Sequence, residues 1–103
     1  MTGMTSSERK IEVRCLSEAS NHAVVHLPGR AFPGSVIQGD TLRNLLGLAR
    51  TVRSHARRLG DAEAIDDAVE LHVLLEQRLL HYQDVLLAAG SRLPYEGAVR
   101  PEP

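Results

Sequence analysis

His72 and Glu76 stand four residues apart in a segment of helical pattern. That spacing puts an imidazole and a carboxylate on one helix face, within reach of a common ligand. A zinc-type site needs three or four such ligands, and the helical signature for that chemistry has two histidines around a glutamate. Nothing else in the chain completes the set, and His81 with Asp84 is equally incomplete. The expected reading is polar side chains on a wet strip or at an interface, with no metal and no cofactor. His22 and His26 fall near a hairpin and are expected to be exposed. Cys15 alternates onto the inward side of a strand, where a free thiol acts as an inert small hydrophobe. No serine sits in a nucleophile elbow. Asp61, Glu63, Asp66, Asp67 and Glu70 gather where a helix begins, which suits the helix dipole. The run PGRAFPG lacks the spacing and the lysine of a phosphate loop. No residue is assigned a catalytic role, and the chain is expected not to be an enzyme.

One constellation invites a binding role. Arg43, Arg50, Arg53 and Arg57 fall within about a quarter-turn of one helix, opposite its apolar face, at about 3.6 residues per turn. Such a stripe could contact phosphates or an acidic protein surface. The competing reading is a solvated face paired with acids of the next helix. Arginine outnumbers lysine eleven to one, as the coding bias of a GC-rich bacterial genome would produce. No aromatic platform accompanies the stripe, which disfavours single-stranded nucleic acid.

The elements that must hold these residues read clearly. Lys10–Ser17 alternates as a half-buried strand, and His22–Leu27 is a second β-rich run. The turn between them places Asn21 in a left-handed conformation. Pro28–Gly34 is a loop. Ser35–Gln38 is a short third strand, Gly39 lets the chain turn, and Asp40 caps a helix over Thr41–Leu59. Its apolar face is Leu42, Leu45, Leu46, Ala49, Val52, Ala56 and Leu59. Gly60 stops that helix and Asp61 caps the next, Ala62–Ala89, ended by Gly90. The two-residue junction makes the helices an antiparallel hairpin. The second helix carries a seam of Ala68, Leu71, Leu75, Leu79, Tyr82 and Leu86. A further ridge, Val69, Val73, Leu80 and Leu87, lies on another side and calls for a partner; a homodimer is the simplest.

The 103 residues suffice for one α+β domain over residues 10–93: a three-stranded antiparallel sheet followed by the two-helix hairpin. Residues 1–9 and 94–103 are expected to be loose tails. A net charge of −1 exerts no global pull toward nucleic acid or membrane. One cysteine excludes an internal disulfide, and no apolar run resembles a signal peptide or a membrane span. A cytoplasmic location is expected.

The segment Pro33-Gly34-Ser35-Val36-Ile37-Gln38-Gly39-Asp40-Thr41-Leu42, preceded by Ala23–Pro28, resembles the HicB antitoxin domain. That family places a Pro-Gly-Cys segment, three strand residues and Gly-Asp-Thr before a helix; Ser35 stands where the cysteine usually does. The likeness spans Ile11 to Val52. It implies a partial RNase-H-like sheet without catalytic acids and a role in blocking a partner toxin. HicB domains continue into a fourth strand, and many carry a DNA-binding tail, whereas here a second helix follows at once. The whole chain also resembles short bacterial proteins of unknown function that share the LPGR-FPG-VIQGD core. The expected function is therefore a small non-enzymatic module that binds and inhibits or regulates a protein partner, toxin-like in kind. A nucleic-acid-associated regulator using the arginine stripe is the alternative.

Overall fold

The computed structural model describes residues 8–103. The expected N-terminal tail, residues 1–9, lies almost entirely outside them. The described residues form two compact units, 8–38 with the sheet and Gly39–Pro103 with the helices and the segment after them. The sequence reading places both inside one domain over 10–93.

The first unit holds three strands, β1 (Arg14–Ser17), β2 (Val24–His26) and β3 (Gly34–Ser35), in the antiparallel order β1-β2-β3. Arg14 pairs with His26 and Cys15 with Val25, then the register slips at a bulge so that Ser17 meets Val24. All three strands are shorter than the alternation predicts, and β3 begins at Gly34 rather than Ser35. The bulge breaks the inward–outward alternation. Cys15, expected inward, is exposed, and its thiol donates to the Ser17 carbonyl over 3.4 Å. The left-handed residue of the β1–β2 turn is Ser20 (φ 45°), not Asn21, and His22 N–H closes the turn on Ala19 O at 2.8 Å.

The second unit is a hairpin of α1 (Gly39–Leu59) and α2 (Ala62–Ala88) packed against each other. α1 starts two residues earlier than expected, so Asp40 lies inside the first turn and its carboxylate accepts only from Thr41 N–H, at 2.8 Å. Gly39 has a different task from the turn expected of it. It is buried, and a Cβ there would collide with the Tyr82 ring, so the missing side chain lets α2 approach the start of α1. The junction behaves as read. Gly60 is left-handed (φ 72°), and the Asp61 carboxylate caps α2 by accepting from Ala64 N–H at 3.2 Å. α2 ends in a Schellman motif, Ser91 N–H to Leu86 O and Gly90 N–H to Leu87 O.

The core between the helices is narrower and more polar than the hydrophobic pattern suggests. α1 buries Leu42, Leu46, Ala49, Arg53 and Ala56; α2 buries Ala68, His72, Leu79 and Gln83. Leu45, Val52 and Leu59, assigned to the apolar face, are exposed, and so is Leu71 of the expected seam. The spacing explains the exchange. Positions 42, 46, 49, 53 and 56 alternate steps of four and three, as helices packed side by side require, and Arg53 occupies a rung of that ladder. His72 and Gln83 do the same on α2.

Candidate functional site

Arg53 and His72 meet inside the hairpin. They are 7% and 1% exposed, and an Arg53 guanidinium nitrogen, Nη1, lies 2.6 Å from His72 Nδ1. Arginine can only donate, so Nδ1 accepts and the ring proton sits on Nε2. Nε2 donates in turn to Glu76 Oε2 over 2.7 Å. Burial, and then the neighbouring Arg53 charge, hold the His72 pKa below its ordinary value. The ring is therefore neutral near pH 7, and both its nitrogens are engaged.

The Glu76 carboxylate gathers three donors: His72 Nε2, Arg50 Nη2 at 3.0 Å and the backbone N–H of Glu102 at 3.0 Å. Burial pushes its pKa up, but the Glu102 N–H, Arg50 and His72 together outweigh that and leave it below the usual carboxylate value. Glu102 also bridges both arginines, Oε1 to Arg53 Nη2 at 2.6 Å and Oε2 to Arg50 Nη1 at 3.3 Å. The Nε–H groups of Arg50 and Arg53 are buried with no hydrogen-bond partner.

Residues 95–103 thus form a strap across the hairpin rather than the loose tail expected of 94–103. Further donors reach its backbone, Arg50 Nη2 to Arg100 O at 2.9 Å and Arg53 Nη1 to Pro103 O at 3.3 Å. Gln83 binds Val99 as a neighbouring strand would, donating to its carbonyl at 3.0 Å and accepting from its N–H at 2.8 Å. Gln83 Oε1 also accepts the Tyr95 hydroxyl at 2.8 Å. Arg43 lies over the Tyr95 ring, 5.2 Å from its centre. Burial, with Tyr82 nearby, raises the Tyr95 pKa against the opposing pull of Arg43.

The arginine stripe therefore has a different geometry from that expected. Arg53 points into the core, Arg50 is engaged with Glu76 and Glu102, and Arg43 is stacked on an aromatic ring. Arg43 and Arg57 are the exposed members. His72 and Glu76 do come together, with arginines as their partners. Among the described residues no three His, Cys, Asp or Glu side chains could hold a metal ion. No helix among them is long and apolar enough to cross a membrane.

The chain belongs to a family of unknown function, DUF6959, whose model matches residues 8–95.

The matched span contains the sheet, both helices and every hairpin residue of the polar cluster, and it stops at Tyr95, where the strap begins. No curated protein and no solved structure matches the chain.

A second surface lies on the other side of the hairpin. Leu45, Leu48, Val52 and Leu59 of α1 share one exposed strip, and Leu71, Leu74 and Val85 of α2 share another; these seven are 36–82% exposed. The strips are displaced from their helices' buried faces by about a quarter-turn on α1 and about a third of a turn on α2, in the same rotational sense. In an antiparallel pair, displacements of the same sense fall on one side of the layer. The expected dimer ridge lies on the opposite side, which the strap shares. There Val69 and Leu80 are half-buried, while Val73 and Leu87 are 41% and 55% exposed.

Proposed function

We propose that this protein is a non-enzymatic interaction module that pairs two-fold through the strap-free side of its helical hairpin and, so assembled, binds and regulates a protein partner. The exposed aliphatic strip carries the reading. Seven large aliphatic side chains on one side of two helices leave an apolar surface that a second hairpin of the same kind would cover. Its charges favour a second copy. Asp67 and Arg78 lie on the same strip as Leu71 and Leu74, and a two-fold axis midway between the leucines also lies midway between the charges. An antiparallel α2–α2 contact would therefore set Leu71 on the partner's Leu74 and Asp67 beside the partner's Arg78.

The magnitudes allow it. Fully burying such a side chain is worth about 1.5–3 kcal/mol. Half that value for each of the fourteen in a dimer equals or exceeds most estimates, about 4–15 kcal/mol, of the cost of association. The homodimer expected from the Val69, Val73, Leu80 and Leu87 ridge is retained, with the interface moved to the opposite side.

Charge reversal tests the pairing. Asp67→Arg or Arg78→Asp alone is expected to weaken dimerisation at least tenfold by sedimentation, and the two together to restore it. Failure of the double variant to recover argues against the two-fold contact. The antitoxin-like half of the reading rests on the HicB likeness of residues 33–42. Affinity capture from the native organism should recover one protein with the wild type and lose it with Leu74→Glu; recovery by neither removes that half.

A further inference from the structure

The hairpin holds residues 95–103 largely through their backbone. Gln83 reads a backbone N–H and C=O at Val99, as an adjacent strand would, and Arg50 and Arg53 take the carbonyls of Arg100 and Pro103. Beyond the backbone, two strap side chains bond to the hairpin: the Tyr95 hydroxyl on Gln83 and the Glu102 carboxylate between the two arginines. Recognition amounts to a chain that bends at residues 94–97, with Gly97 left-handed, and then carries a carboxylate three residues after the one that Gln83 grips. Pro101 and Pro103 flank that carboxylate and pre-set an extended backbone, which lowers the entropy lost on docking.

The receptor side belongs to the hairpin itself. Arg53 and His72 are buried in the helix–helix core, with Glu76 and Arg50 at its margin. Without Glu102 the cleft holds two guanidinium charges against one carboxylate. With Glu102 the side-chain charges balance, yet the Nε–H of each arginine stays buried and unpartnered, so the strap leaves two of the site's donors unsatisfied.

We propose that the cleft between α1 and α2 is a binding site for an extended acidic peptide of a partner protein, and that residues 95–103 are its resident, displaceable occupant. The site uses the side of the hairpin away from the dimer surface and stands or falls independently of it. A tethered occupant competes at a high effective concentration, on the order of millimolar for a short link. The apparent affinity for an incoming peptide is therefore reduced to the fraction of molecules whose strap is open. Weakening the strap raises that fraction without touching the cleft.

The test uses the full chain and a fluorescent peptide with the sequence of residues 95–103, read by anisotropy. Two strap variants open the site by different means. Glu102→Gln weakens the charge-assisted bonds, and Val99→Pro removes the N–H that Gln83 accepts. Both are expected to bind the peptide at least tenfold more tightly than the wild type. A peptide carrying the same Glu-to-Gln change should lose at least tenfold against either variant. Equal binding by variants and wild type overturns the proposal, as does equal binding of the two peptides. Loss of the helical circular dichroism signal in both variants makes the strap a structural part of the hairpin and overturns it as well.

Discussion

At the scale of single residues, the pairing of Arg53 with His72 organises the hairpin. Both occupy positions where the packing ladder calls for an apolar side chain, and each is a hydrogen-bond partner of the other. Removing one leaves the other buried and short of a bond, which costs about 1–3 kcal/mol. His72→Leu and Arg53→Leu are each expected to destabilise by that order, and the double variant by clearly less than the sum. A double-mutant cycle of urea midpoints measures the difference. The pH dependence has a definite sign. His72 has a lower pKa folded than the 6.5 of a free histidine, so the unfolded chain binds more protons there, and stability falls as pH drops through about 6.5. Glu76 is lowered from 4.5, so its contribution is present above that value and fades below it. Both groups weaken the fold in acid. The urea midpoint should fall between pH 7.5 and 5.5, and His72→Gln should flatten that step while leaving the one below pH 4.5.

At the scale of elements, helix ends and close approaches decide stability. Asp61 accepts from Ala64 N–H as a true cap, so Asp61→Ala should cost about 1 kcal/mol. Asp40 sits within its helix and keeps mainly a dipole interaction, so Asp40→Ala should cost about 0.3–1 kcal/mol at low salt. Gly39→Ala drives a methyl group into the Tyr82 ring and should destabilise by about 1–3 kcal/mol. Tyr82→Leu in the same chain should relieve much of that, which thermal unfolding of the four forms can read. The helices, their junction and the sheet order were legible because Gly60, Asp61 and Gly90 are strong local signals and the apolar periods are long. The buried faces were misread by about an eighth of a turn because hydrophobicity alone ranks Val52 above Arg53 and Leu71 above His72. The four-and-three spacing of positions 42, 46, 49, 53 and 56 was the signal available. The strap was not legible, since Glu102 and Val99 gain partners only once α1 and α2 place Arg50, Arg53 and Gln83 along one cleft. Three prolines after Leu93 look like a free tail until those partners are in place.

At the scale of the whole molecule, the hairpin presents two sides of unlike chemistry. One carries the strap and the polar cluster beneath it, beside the ridge of Val69, Val73, Leu80 and Leu87. The other is a strip of leucine and valine with one acid and one base in self-complementary places. Within the arginine stripe, Arg50 and Arg53 are paired with Glu76 and Glu102, which compensates two of its four charges. Arg43 and Arg57 remain exposed, and two such charges support at most a weak, salt-sensitive contact with nucleic acid. Leu74→Glu, at the centre of the strip and outside the hairpin core, should leave the helical content intact and abolish self-association. The most direct test is the molar mass of the purified full-length protein by light scattering at micromolar concentration. The expected result is twice the 11.3 kDa chain mass for the wild type and the single-chain mass for Leu74→Glu. A wild type that runs at the single-chain mass across that range contradicts the account.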